Sequence, residues 1–307
     1  MSFTMPQNPN FSVEFNSDNT LKLCGYLGSS PILDIPKEIG GHTVTKIAAS
    51  FCKFNSSICA VHMPDTIVYI GKGAFFHCEN LKKITLSKKL REIPADFCKF
   101  TSLKTLEVPD SVTKIKNGAF QYASNIESVK LGKNLKAIQK NVFNSCNLKE
   151  IHLGPKVEYI HLKDGFLSLN SNLEKITVDK NNTHFYDVKG VLFSRDDNTL
   201  IRFPSAYLRG RKNNDFYAIP EDTKVIGFAS FTGCELKTIQ FPKSIEKIDS
   251  CFSFDFIMTK DKCFVCEKNS VAEKLAENYH FKIKRPEKGI NDFLAEISSD
   301  FEHYLIF

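Results

Sequence analysis

The chain of 307 residues contains no tryptophan, no apolar run that could cross a bilayer and none of the short motifs that carry enzymatic chemistry. A membrane-spanning helix needs roughly 18 consecutive apolar residues, and polar side chains interrupt every candidate stretch before that length. Residues 1–30 include Asn8, Asn10, Glu14, Asn16, Asp18 and Asn19, so no apolar signal-peptide core is expected there, which favours the cytosol. There is no glycine-rich phosphate loop, G-x-S-x-G elbow, H-E-x-x-H helix or dinucleotide fingerprint. Histidines 42, 62, 77, 152, 161, 184, 280 and 303 are scattered. His62 and His152 share an outward strand position, but three repeats of about 4.8 Å per strand separate them, too far to cooperate. Neither an enzyme nor a cofactor is expected.

One-sided charge is lacking as well. Lys and Arg number 41 against 35 Asp and Glu, a modest net charge of +6. Basic clusters at Lys88-Lys89, Arg91 and Arg209-Gly-Arg211-Lys212 invite a nucleic-acid reading, but solvated loops account for them and no nucleic-acid partner is expected.

What the chain does have is a repeat. Segments of the form L-x-x-I-x-L-P-x-x-V-x-x-I-x-x-x-A-F begin at Ile58, Leu81, Leu103, Ile126, Leu148 and Leu173, with spacings of 23, 22, 23, 22 and 25 residues. Self-similarity at that period marks a solenoid. In Leu103-Lys-Thr-Leu106-Glu-Val108-Pro109, the alternation of Leu106 and Val108 with Thr105 and Glu107 predicts a short half-buried strand. Pro109 ends it, having no N–H for a ladder. The second half, Val112 to Phe120, reads as a turn running back along the opposite face. One copy cannot bury both faces, whereas stacking puts Ile84, Leu106, Val129, Ile151 and Ile176 in one ladder and Leu86, Val108, Leu131, Leu153 and Val178 in the next. Further columns run through Ile70, Ile93, Ile115, Ile138 and Ile160, and through Phe75, Phe97, Phe120, Phe143 and Phe166. The last accounts for much of the store of 27 phenylalanines as core rather than ligand platform. Strands repeated in one sense predict a parallel sheet. Asn80, Asn125, Asn147 and Asn172 precede the strands, where their side chains are expected to bond the turn backbone.

Three segments depart from the repeat. Asp197-Asn198 between apolar runs predicts a hairpin. Ser270-Val-Ala-Glu273 predicts a capped helix in which Ser270 and Glu273 satisfy each other's amides. At the end, Ile290, Phe293, Leu294, Ile297, Phe301, Tyr304 and Leu305 recur at helical spacing with Asp292, Glu296, Asp300 and Glu302 opposite, predicting an amphipathic helix over 289–307. It either docks on the last coil or detaches to meet a partner's groove or a second copy.

Of ten cysteines, Cys78, Cys146 and Cys234 share one repeat position and Cys52 and Cys98 follow a core phenylalanine, so most read as structural thiols. Cys263-Phe-Val-Cys266 has the spacing of a redox or zinc pair, but no second pair follows and only His280 lies nearby; no metal site is expected.

The pattern, best kept over Ile58–Asn80 with Met63-Pro64, Ile70-Gly71, Ala74-Phe75 and Cys78, and over Leu103–Asn125, resembles the BspA-type leucine-rich repeat of bacterial and protist surface proteins. The resemblance spans roughly residues 11–284. It implies an α/β leucine-rich repeat solenoid with a parallel β-sheet and repeats of about 22–25 residues. Its parts are an amino-terminal cap (1–30), the solenoid (31–262) with a hairpin insertion at about 181–218, a carboxyl-terminal cap (263–284) and the helical tail (285–307). It also implies adhesion to host or matrix proteins at the cell surface, against the cytosolic location the missing signal core favours. A scaffold inside the cell is the alternative. Asn10-Phe-Ser, Asn55-Ser-Ser and Asn181-Asn-Thr match glycosylation acceptors and matter only in a secreted chain.

Strand alternation predicts the side chains lining the concave face. They are His62, Lys83, Thr85, Thr105, Glu107, Ser128, Lys130, Glu150, His152, Lys175 and Thr177, with Ala60, Thr238 and Gln240 at equivalent positions. These are the candidate binding residues for protein ligands; the plainer reading is a merely soluble face.

Overall fold

The computed structural model describes residues 8–163, 165–210, 215–250 and 261–286. Arg211, Lys212 and the expected tail helix over 289–307 lie outside the described residues.

Each coil lays down one strand of a first sheet, turns, and lays down a shorter strand of a second. The amino-terminal coil holds β1 (Phe11–Phe15), β2 (Leu21–Tyr26), β3 (Ile32–Asp34), β4 (Glu38–Ile39) and β5 (His42–Ile47). First-sheet strands follow as β6 (Ala60–His62), β8 (Lys83–Thr85), β10 (Thr105–Glu107), β12 (Ser128–Lys130), β14 (Glu150–Leu153) and β16 (Lys175–Val178). All pairings recorded along this ladder are parallel and in register. The strands are short because the chain must turn at once, as at Met63-Pro64 and Val108-Pro109, where proline removes the next ladder donor. β8, β10 and β12 each show an exposed, buried, exposed pattern, as their alternation predicts.

The return leg differs from expectation. In place of a plain turn it forms two-residue strands, β7 (Tyr69–Ile70), β9 (Glu92–Ile93), β11 (Lys114–Ile115), β13 (Ala137–Ile138) and β15 (Tyr159–Ile160). From β9 to β15 they pair in parallel, with Ile93, Ile115, Ile138 and Ile160 in register. A two-residue strand shows only one buried position, so period-2 patterning has nothing to register. Gly71, just past β7, is required by close approach: a Cβ there would stand 2.2 Å from the Ala49 nitrogen.

Between the sheets runs the phenylalanine column, which begins one coil earlier than expected, at Phe51. Successive centroids from Phe51 through Phe75, Phe97 and Phe120 to Phe143 are 6.1, 5.6, 6.1 and 5.6 Å apart. The first three contacts are edge-on, the geometry the ring quadrupole favours. Burying each ring contributes about 2–3 kcal/mol.

The ends are closed by departures from the repeat. β1 and β2 pair antiparallel, and β2 lies parallel beside β5, covering a sheet edge that would otherwise present free amides. Beyond β16 comes an antiparallel meander of β17 (Phe185–Val188), β18 (Val191–Ser194) and β19 (Thr199–Arg202), whose second turn carries Asp197 and Asn198. The Ile176 amide donates to the Gly190 carbonyl at 2.9 Å, so this meander closes the first ladder. All four residues of β18 are buried. Leu192 packs into the amino-terminal core and Val191 and Phe193 into a second core. The meander is thus a seam between two cores.

Past the seam a new ladder runs through β20 (Phe216–Ala218), β22 (Thr238–Gln240), β24 (Cys263–Val265) and β25 (Lys282–Lys284). β21 (Val225–Ile226) and β23 (Lys247–Ile248) extend the return layer from β19. One helix, α1 (Val271–Asn278), is found among the described residues. Ser270 Oγ accepts from the Glu273 amide at 3.1 Å as expected. The reciprocal bond is displaced by one residue: Glu273 accepts from the Asn269 amide, and its other carboxylate oxygen pairs with Arg285.

Candidate interaction surface

The ladder fixes the outward side chains in two columns. Ala60 stands beside Lys83, Thr105 beside Ser128, Ser128 beside Glu150, and Glu150 beside Lys175. The second column sets His62 beside Thr85, Glu107 beside Lys130 and His152 beside Thr177. His62 and Thr177 are half-buried, and Lys83, Thr85, Thr105, Glu107, Ser128, Lys130, Glu150, His152 and Lys175 are exposed.

Charges along the columns answer one another from coil to coil. Lys130 Nζ lies 2.6 Å from Glu107 Oε1, Lys175 Nζ 2.7 Å from Glu150 Oε2, and His62 Nδ1 2.7 Å from Asp34 Oδ1. His152 Nδ1 meets Thr177 Oγ1 at 3.0 Å. Hydrogen bonds to Glu107 and Glu150 hold the Lys130 and Lys175 ammoniums above the ordinary lysine pKa. Lys83 has no acidic partner among the described residues.

Lys83, Thr85, Thr105, Glu107 and Lys130 meet at one cleft of about 710 Å³, whose floor carries Leu86, Val108 and Leu131. Lys88 and Asp110 stand at its margin. Ser128, Glu150, His152, Lys175 and Thr177 continue the columns toward the meander, outside the cleft. Thr238 and Gln240 do not extend the array. The meander separates their sheet from β16, Thr238 is half-buried and Gln240 is only 6% exposed.

Seven of the nine cysteines among the described residues are buried, and Cys24 and Cys59 are half-buried. Cys78 Sγ donates to the Cys52 carbonyl at 3.0 Å and Cys146 Sγ to the Phe120 carbonyl at 3.3 Å. Burial pushes the pKa of Cys78 and Cys146 up to about 12 and that of Cys234 to about 11. Cys263 and Cys266 are free and buried, and burial raises the Cys266 thiol. The asparagines before the strands reach further than a local turn: Asn80 Nδ2 donates to the Ser56 carbonyl at 2.7 Å, and Asn172 Nδ2 to Asn147 Oδ1 at 2.5 Å, each on the neighbouring coil.

A second surface feature has no counterpart in the expected array. Phe54, His77, Phe100 and Tyr122 form a column of rings on the turns, with successive centroids 5.2, 5.2 and 4.7 Å apart. Phe54 is 60% and Tyr122 41% exposed. The signal was there in F-x-K-F at 51–54 and 97–100 and in F-x-Y at 120–122, aromatics two or three places beyond the core phenylalanine. Counting phenylalanine as core concealed it.

The wider comparison agrees with this architecture. A family model described as a BspA type leucine rich repeat region matches in six copies over residues 45–166 and 204–260, on either side of the meander. A leucine-rich cell surface protein of Faecalibacterium prausnitzii superposes with a TM-score of 0.64 at 23% identity, over 84% of this chain and 75% of that one. The pneumococcal vaccine antigen PcpA gives 0.69 at 24% identity, over 84% and 68%. A leucine-rich repeat protein of Eubacterium ventriosum gives 0.61 at 20% identity, over 85% and 65%. At these identities the likeness is one of fold. No curated protein sequence matches the chain.

Proposed function

Because the chain belongs to the BspA-type leucine-rich repeat family, we propose that it is a non-enzymatic protein-binding module whose recognition surface is the outward array on β6 to β16. The observation that carries this reading is the cleft of about 710 Å³ where Lys83, Thr85, Thr105, Glu107 and Lys130 converge over an apolar floor. Ladder hydrogen bonds hold the backbone beneath these side chains, so little conformational entropy is lost when a partner docks. Alternating charge gives register and specificity to such a contact.

The partner class is a protein of the host surface or matrix, and the chain acts as an adhesin. Its similarity to proteins described as a cell surface protein and a vaccine antigen supports this role. The test uses the full chain against a panel of purified matrix proteins. A variant with Glu107→Lys, Lys130→Glu and Glu150→Lys is expected to lose at least tenfold in affinity for whichever protein the parent binds. Unchanged affinity for every partner would sink the array as the site.

The free thiols at Cys52, Cys78, Cys98 and Cys146 favour a second reading, an intracellular scaffold, since thiols persist in reducing compartments. Protease treatment of intact cells separates the two: digestion of the untagged chain supports adhesion, and protection supports the scaffold.

A further inference from the structure

Phe54, His77, Phe100 and Tyr122 occupy equivalent turns of four successive coils, and each has a left-handed backbone, with φ of 64°, 61°, 59° and 60°. Their amides donate to the neighbouring coil, Phe54 to Phe76 at 2.9 Å, His77 to Lys99 at 2.8 Å, Phe100 to Gln121 at 3.1 Å and Tyr122 to Asn144 at 3.1 Å. The coil geometry therefore demands a left-handed residue here, and asparagine or glycine meets that demand with least strain. This chain places four rings there instead. Bulky residues at such dihedrals are the kind of outlier that points to a surface with a task.

The lysines beside the rings give the column a sign. Lys53 Nζ lies 4.9 Å from the Phe54 centroid and 5.2 Å from that of Phe76, and Lys99 Nζ lies 5.5 Å from Phe100 and 5.8 Å from Tyr122. Two carboxylates stand nearby: Glu79, 3.2 Å from His77 Nδ1, and Asp96, 3.3 Å from Lys72 Nζ and 3.9 Å from Lys99 Nζ. Lys53 has no acidic partner among the described residues. Phe100 and Tyr122 lie parallel, 2° apart in plane, each covering a face of the other. The two ammoniums select an anionic partner, and the exposed rings of Phe54 and Tyr122 select one with apolar groups to lie along them.

Spacing selects its form. The column presents one ring per coil, with centroids 5.2, 5.2 and 4.7 Å apart, while a helix returns a side chain to one face about every 5.4 Å. Over three steps that mismatch accumulates to roughly 1 Å, within side-chain reach; an extended peptide, repeating every 6.6 Å or so, slips by about 5 Å.

We propose that the column of Phe54, His77, Phe100 and Tyr122, flanked by Lys53 and Lys99, is a docking strip for an acidic amphipathic helix of about three turns, laid along the solenoid axis. The strip lies on the turns, apart from the strand array, and its use does not depend on the array binding anything.

The probe is a fluorescent 14-residue helical peptide with Leu and Phe at i, i+4, i+7 and i+11 and Glu on the opposite face, compared with its Lys counterpart by anisotropy. The full chain is expected to bind the Glu peptide saturably, more weakly as salt rises, and not the Lys peptide. Phe54→Asn with Tyr122→Asn, and separately Lys53→Glu with Lys99→Glu, are expected to weaken binding at least tenfold. Asparagine accepts the left-handed backbone, so the ring variant should melt within about 3 °C of the parent, a shift of small-effect size. If it misfolds, the lysine variant decides. The charge-reversed array variant is expected to keep peptide binding, which separates this proposal from the array. No saturable binding of the Glu peptide, equal binding of both peptides, unchanged affinity in the lysine variant, or binding of a chito-oligosaccharide in place of the peptide would each overturn it.

Discussion

Glu107 and Lys130 face one another in register on β10 and β12, carboxylate to ammonium at 2.6 Å, with side chains 71% and 78% exposed. A pair so open to water adds little to stability. Glu107→Gln is therefore expected to change the free energy of unfolding by less than about 1 kcal/mol, measured by urea titration. Its effect belongs in partner binding, as a slower association that depends less on salt.

The interior behaves oppositely. Phe97 is fully buried, edge-on to Phe75 at 5.6 Å and to Phe120 at 6.1 Å. Phe97→Ala removes a ring from the middle of the column and is expected to cost about 3–5 kcal/mol. Each coil contacts mainly its neighbours, so hydrogen exchange should rise first in the coils of Phe75 and Phe120.

Arg202 is a fully buried cation with no carboxylate partner among the described residues; it donates to the carbonyls of Ala229 and Thr232, both at 2.9 Å. Burial lowers its pKa to about 10. Arg202→Ala removes one donor from each carbonyl at the seam between the two cores, where the Thr232 amide to Ala229 and the Ser205 hydroxyl to Thr232 remain, and is expected to cost about 2–4 kcal/mol. A lowered denaturant midpoint would show it, and a midpoint equal to that of the parent would refute the clamp.

Thiol reactivity should follow burial. Cys59 and Cys24 are half-buried, whereas Cys52, Cys78, Cys98 and Cys146 are buried, with thiols raised well above the ordinary cysteine value. Reaction requires the thiolate, so an aromatic disulfide reagent at pH 8 is expected to modify Cys59 and Cys24 first. The other four should react only on unfolding, as peptide mapping of partly labelled protein would reveal.

Acid should destabilise the fold below the carboxylate range. The Lys22 hydrogen bond depresses Glu14, the Lys133 amide depresses Asp110, Lys149 depresses Glu127 and Arg285 depresses Glu273. With folded pKa values below unfolded ones, the unfolded chain binds more protons and stability rises with pH. The melting temperature is expected to be level from neutrality to about pH 5 and to fall as pH drops through the folded values of these groups. Asp110→Asn should reduce that acid loss slightly.

Much of this architecture could be read from the chain because a solenoid writes its core in one dimension. Ile84, Leu106, Val129 and Ile151 recur at intervals of 22 or 23 residues, and each recurrence repeats one buried position, so pattern and packing carry the same information. The return ladder was less legible, since β11 and β13 each offer only one buried isoleucine. The aromatic column was missed for a related reason: Phe100 and Phe97 are the same residue type, and composition cannot tell an outward ring from an inward one. Only the left-handed backbone at Phe100 turns it to the surface.

By itself, then, the sequence determined the repeat, the parallel ladder, the inward residues and the outward face from His62 to Thr177, because local alternation and period settle which way a side chain points. Tertiary structure decided where that face stops. The Gly190 turn of the meander meets Ile176 and ends the first ladder, leaving Gln240 buried. It also decided which charges pair and which meet at one cleft. Those outcomes depend on contacts between residues distant in the chain, and no local pattern records them.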